Sequence, residues 1–193
     1  VTQAALNVKI TYTTTDGKII ETCESWFDAR IISNTYINGE GVLLFDSPVR
    51  RIKQRAFGFA DNLLSICLPS SVIEIEANTF LACTTLQSID LSNGLSKISC
   101  NAFAGCINLR SITLPESVLE VGMGAFSDCH NLTNVIILGA NTQLGKFVFS
   151  FMNPFDAKVK AKIIRAVNMR ADDARLYWEK LYLPEGSRLV FLD

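Results

Sequence analysis

The sequence predicts an α/β fold: a single right-handed solenoid built from 23-residue repeats, with a segment at each end covering the open coils. Three observations predict it. Phe57, Phe80, Phe103, Phe126 and Phe149 recur at intervals of 23 residues. Within each interval the apolar spacing switches from near-helical to alternating. Outside 49–149 the period fades while apolar patterning continues. The expected organisation is an N-terminal β cap over 1–48, repeats over 49–149 and a strand–helix cap over 150–193, all in one structural domain.

In the N-terminal stretch, Val8, Ile10 and Tyr12 alternate with polar residues, the pattern of a half-buried strand. Asp16-Gly17 is a two-residue turn signal, so Ile19-Ile20 is expected to start the return strand of a hairpin. Trp26 and Phe27 are then placed to pack on the first coil.

The repeats keep several columns in step with the phenylalanines. Ile52, Ile75, Ile98, Val121 and Leu144 form one, and Ala60, Cys83, Cys106 and Cys129 another. Leu63, Leu86, Leu109 and Leu132 follow, then Ile66, Ile89, Ile112 and Val135, then Leu68, Leu91, Leu114 and Ile137. Val49, Val72, Leu95 and Val118 open each coil. Four complete copies run from about 49 to 138, and a fifth, degenerate copy keeps Leu144 and Phe149. One copy cannot bury its own apolar face, whereas a stack of copies can.

Each copy reads as one turn of the solenoid. Ile75, Phe80, Cys83 and Leu86 have near-helical spacing and are expected to lay a short helix or helical turn on the core. From Leu86 to Leu91 the spacing alternates, as in a strand with Ile89 and Leu91 pointing inward. Pro69 and Pro115 follow two of these strands and end the pairing, because proline has no N–H to donate.

In the C-terminal stretch, Val159, Ala161 and Ile163 alternate with Lys158, Lys160 and Lys162, a strand with one basic face. Ala174, Tyr177, Trp178 and Leu181 lie on one face of an expected helix, with Asp172 and Asp173 favouring the dipole at its start. Pro184 and Gly186 end that helix, and Leu189–Leu192 can add a last strand.

The run Ser71-Val72, Ile75, Phe80, Cys83, Leu86, Ile89, Leu91 resembles the BspA-like leucine-rich repeat. Residues 116–132, ESVLEVGMGAFSDCHNL, lie closest to that family's S-V-x-x-I-G-x-x-A-F-x-x-C-x-x-L pattern. The stretches ITYTTTDGKII and IISNTYINGEGVLLFDSPVRRI also resemble the leader that precedes such repeats in Bacteroides-type surface proteins. The resemblance implies a leucine-rich-repeat solenoid on an exported or surface-attached protein. It implies adhesion to host proteins, other bacteria or matrix. The family often closes with a strand and a Tyr/Trp-bearing helix. Tyr177 and Trp178 suit that ending, whereas Ala166-Val167 stands where the family usually has Val-Pro.

Composition narrows the function classes. A formal net charge of -1 lacks the basic footprint of a nucleic-acid binder. No window approaches the roughly 18–20 apolar residues of a membrane span. The chain starts at Val1 and shows no signal-peptide core, which suggests a mature or trimmed product.

Candidate chemistry is sparse. The six cysteines include no pair at zinc spacing. Cys83, Cys106 and Cys129 share one column and read as small buried hydrophobes. Cys67 should face outward on its strand, while Cys23 and Cys100 lie off the core columns. His130 follows Cys129, but helical neighbours point about 100° apart, so one faces inward and the other outward. Gly122-Met123-Gly124 lacks the strand–loop–helix setting of a phosphate loop. Arg50, Arg51, Lys53 and Arg55 read first as a solvated face, with an acidic partner or sulfated glycan as the alternative. No cofactor motif emerges, and neither acid/base nor nucleophile constellations survive inspection.

The strand face remains. Ser65 and Cys67, Ser88 and Asp90, Ser111 and Thr113, and Asn134 and Ile136 flank the inward residues and should point to solvent from consecutive strands. Solenoids commonly recognise partners on such a surface. The expected function is a non-enzymatic binding or adhesion module for an extracellular or host protein. A carbohydrate-binding module and a spacer presenting another domain are the alternatives.

Overall fold

The computed structural model describes residues 8–149, 163–167 and 187–192. Three strands come first: β1 (Val8–Thr14), β2 (Ile31–Ile37) and β3 (Glu40–Phe45). The coils then contribute short strands on one side: β4 (Arg51–Ile52), β6 (Glu74–Ile75), β8 (Lys97–Ile98), β10 (Glu120–Val121) and β12 (Gln143–Leu144). On the other side lie longer strands: β5 (Leu63–Cys67), β7 (Ser88–Asp90), β9 (Ser111–Leu114) and β11 (Asn134–Ile137). Two more, β13 (Ile163–Val167) and β14 (Arg188–Leu192), follow.

The short strands form one parallel sheet in the order β12-β10-β8-β6-β4. Its registers place Arg51 beside Glu74, Glu74 beside Lys97, and Lys97 beside Glu120. Charges of alternate sign therefore run across the sheet, with Arg51–Glu74 at 3.6 Å and Lys97–Glu120 at 3.2 Å. Between the two walls of strands lies the predicted core. Val49, Val72, Leu95 and Val118 are fully buried, as are Ile52, Ile75 and Ile98.

The predicted helical segment is not a helix. Among the described residues the only helical element is a 3-10 turn, Glu24–Trp26. Each coil instead makes stacked turns, so the helices expected within the repeats are absent among the described residues. Left-handed residues break any helix twice per coil: Arg55, Asn78, Asn101, Gly124 and Phe147 before the buried phenylalanine or at the equivalent step, and Phe59, Ala82, Gly105 and Asp128 after it. The amide hydrogens that a helix would use internally cross to the next coil. Phe57 N–H donates to the Thr79 carbonyl at 2.8 Å, Phe80 to Ala102 at 2.7 Å, and Phe103 to Ala125 at 2.8 Å.

The phenylalanine rings stack. Neighbouring centroids from Phe57 to Phe126 are 5.0–5.1 Å apart with interplanar angles of 10° or less, and Phe149 continues the column at 5.7 Å. The cysteine column sits beside it. Cys83, Cys106 and Cys129 are free thiols, each donating to a phenylalanine carbonyl of the preceding coil: Phe57 at 2.9 Å, Phe80 at 3.2 Å and Phe103 at 3.1 Å.

The N-terminal segment differs from the predicted hairpin. Gly17 does turn with positive φ, and Asp16 accepts from the Lys18 N–H at 3.1 Å, but Ile19-Ile20 forms no strand. Both edges of β1 are already taken, antiparallel by β3 and by β5. The hairpin lies instead at Asn38-Gly39 between β2 and β3, where both residues have positive φ, as the tightest hairpin turns require. Phe27 packs edge-on against Phe57 with centroids 5.9 Å apart, and Trp26 is half-buried against the core.

At the other end β13 pairs with β11, and β14 with β13, both in parallel. The strand predicted from Val159 is thus described from Ile163 onward, and β14 covers the strand predicted at Leu189–Leu192. The predicted helix bearing Ala174, Tyr177, Trp178 and Leu181, and the row Lys158, Lys160 and Lys162, lie outside the described residues.

Candidate recognition surface on the strand face

The long strands carry the predicted outward row. Ser65 pairs in register with Ser88 and Cys67 with Asp90, while Ser111 pairs with Asn134 and Thr113 with Ile136. Cys67, Ser88, Asp90, Ser111 and Thr113 are exposed; Ser65, Asn134 and Ile136 are half-buried. The structure thus brings all the predicted residues to one face. It also adds residues that the repeat pattern does not reach. Because β1 pairs antiparallel with β5, Thr11 stands beside Cys67 and Thr13 beside Ser65. The Thr13 and Ser65 hydroxyls are 2.6 Å apart.

The row is not one continuous sheet. Hydrogen bonding gives the orders β2-β3-β1-β5-β7 and β14-β13-β11-β9, with a seam between β7 and β9. Among the described residues no strand ladder joins β7 to β9. At the seam Ile89, predicted to point inward, is only half-buried, whereas its counterparts Ile66, Ile112 and Val135 are buried. A groove of about 540 Å³ lies over this region, reaching from Thr11 and Glu40 past Cys67 and Asp90 to Ser111 and Thr113.

The groove is mildly acidic. Cys67 donates toward Asp90 at 3.7 Å, and burial together with the negative charges of Asp90 and Glu40 pushes its thiol up from the ordinary range. Cys67 is therefore held as a neutral thiol, poor chemistry for a nucleophile. Cys129 faces the core as a structural donor, with His130 half-buried beside it. Gly122 and Gly124 have packing roles instead of a phosphate-loop role. A Cβ on Gly122 would meet the Cys100 nitrogen at 2.5 Å, and Gly124 has φ of 64°. In the basic cluster, Arg51 pairs with Glu74, and the Arg50 and Arg51 amides donate to Asp28.

Among the described residues no group of three or more His, Cys, Asp and Glu converges to hold a metal. Nor is any helix there long and apolar enough to cross a membrane.

A model of the BspA-type leucine-rich repeat region matches residues 43–164, in six copies. The chain belongs to the BspA-type leucine-rich repeat family. Two solved structures are similar to this BspA-type chain. One is the leucine-rich repeat protein TpLRR of T. pallidum, at TM-score 0.57 and 21% identity over 87% of this chain and 99% of that one. The other is a leucine-rich repeat protein from Bacteroides ovatus, at TM-score 0.51 and 19% identity over 74% of this chain and 40% of that one. These likenesses bear on the fold. No curated protein matches. Repeat modules of this family suit protein interaction or adhesion without catalysis, which agrees with the stacked, polar strand face.

Proposed function

We propose that the protein is a non-enzymatic recognition module, exported or surface-attached, that holds an extracellular protein on its strand face. The carrying observation is the groove over the β7–β9 seam, where outward serine, threonine and aspartate side chains of successive coils meet Thr11 and Glu40 of the N-terminal sheet. Its lining joins hydroxyl and carboxylate groups from β1, β3, β5, β7 and β9 to apolar residues such as Ile89 and Leu91, a mixture that suits a protein partner. It holds no exposed aromatic ring on which a sugar would stack.

The test begins with the purified protein on an array of matrix proteins and of host and bacterial glycans. A saturable protein hit is expected. Asp90→Arg with Thr113→Arg should then weaken that binding about tenfold or more. Both sites are exposed, so the melting temperature should hold. Unchanged binding would overturn this choice of face. A glycan hit instead would favour a carbohydrate module, and a blank array a spacer.

A further inference from the structure

A second groove, of about 350 Å³, lies away from the strand face, between the loop after β1 and the turns of the first coil. Trp26, Phe59 and Ile19 supply its apolar surface. Asp16, Glu21 and Asp61 line it with carboxylates, against the single ammonium of Lys18. We propose that this groove binds a basic peptide segment, taking a lysine or arginine side chain against Trp26 and Phe59 with the carboxylates around the charge.

Phe59 is the observation that the fold leaves unexplained. Its side chain is 65% exposed, so it contributes little to the core. Its backbone is left-handed, at φ 64°. Bulky residues rarely adopt that conformation. Equivalent positions in the later coils carry Ala82, Gly105 and Asp128, two small residues and one that tolerates the left-handed region. Of the left-handed residues that follow a buried phenylalanine, Phe59 alone is aromatic, and it is more exposed than Phe147, the left-handed aromatic residue at the other step of the last coil. What sets Phe59 apart is its place in the groove, beside Trp26 and among Asp16, Glu21 and Asp61.

Two of the other lining residues are held in place. Trp26 packs partly against the core, so its ring is held in place. Asp16 accepts from the Lys18 N–H at 3.1 Å and from the Asn62 amide at 3.2 Å. These bonds hold its carboxyl below the usual range, so it is a standing anion. Aromatic faces and carboxylates together attract a cation, and guanidinium more than ammonium. A neutral saccharide would use the rings but leave the excess of carboxylates over the one Lys18 ammonium unmatched.

The experiment measures binding of labelled tetra-arginine and tetra-serine peptides to the intact protein, by anisotropy at low and high salt. Saturable, salt-sensitive binding of the arginine peptide alone is expected. Phe59→Gly should lose about tenfold in affinity. Its melting temperature should stay level or rise, since glycine relaxes the left-handed backbone. Asp61→Asn should also weaken binding, and Asp90→Arg, on the strand face, should leave it unchanged. Equal binding of the serine peptide, indifference to Phe59→Gly, or loss of melting temperature along with affinity would overturn the proposal. So would preferential capture of a neutral oligosaccharide that Phe59→Gly abolishes.

Discussion

Both sides of the solenoid obey one 23-residue period, yet only one side is continuous. On the turn side all five short strands share one sheet, and the phenylalanine column runs unbroken from Phe57 to Phe149. The strand side divides between β7 and β9, where Ile89 is half-buried and the larger groove opens. Periodic sequence therefore does not impose uniform cohesion. Cohesion is concentrated in the wall that stacks aromatic rings and crosses hydrogen bonds between coils. The opposite wall is left freer to shape a surface, a division that suits a recognition module.

The largest expected effect tests the stacked wall. Phe103 sits in the middle of its column, fully buried between Phe80 and Phe126. Phe103→Ala should cost about 3–5 kcal/mol, through lost burial and a cavity that fixed neighbours cannot fill. Urea unfolding followed by circular dichroism reads this directly. A loss below about 1 kcal/mol would remove the aromatic stack from its place as the main cohesive element.

The seam gives the next contrast, between two isoleucines of one column. Ile112 is 2% exposed in β9, whereas Ile89 is half-buried in β7. Ile112→Ala should cost about 2–5 kcal/mol, as buried truncations do. Ile89→Ala should cost less, about 1 kcal/mol, because water already reaches its side chain. Equal losses in parallel urea titrations would mean that the seam is closed in solution and the two walls are alike.

How far this arrangement can be read from sequence depends on which contacts define each part. The inward columns and the outward row from Ser65 to Ile136 follow from alternation within one short segment, and local spacing is enough to place them. The turns do not follow in this way. Spacing of three between Phe80, Cys83 and Leu86 fits a helix and a stacked turn equally, and the deciding hydrogen bonds run to another coil. A clue was present in the asparagines and glycines at Asn78, Asn101, Gly105 and Gly124, residues that accept left-handed backbone. The hairpin expected at Asp16-Gly17 fails for a related reason: Asn38-Gly39 is an equally good turn, and only long-range pairing separates the two. Thr11 and Glu40 joined the groove through that same pairing, which no repeat column encodes.

The last contrast lies in the cysteine column, where pH exposes a contribution that truncation alone would blur. Cys106 lies between the Cys129 and Cys83 thiols, and their interactions, with burial, hold its pKa well above the ordinary 9.0. The folded protein thus keeps a proton that the unfolded chain releases, so the folded state binds more protons above pH 9.0. Its contribution to stability is complete below that pH and falls as pH rises toward the folded value. Cys106→Ala should cost about 1–3 kcal/mol at neutral pH, leaving the Phe80 carbonyl without its S–H donor. The gap in stability between wild type and Cys106→Ser, measured by urea unfolding, should shift against wild type as pH passes 9.0. Cys67, Tyr12 and Lys97, whose pKa values are also raised, remain in both proteins and cancel in that difference. A gap that stays constant with pH would mean that Cys106 can ionise in the folded state as easily as in the unfolded one. The column would then be looser than its hydrogen bonds to the phenylalanine carbonyls imply.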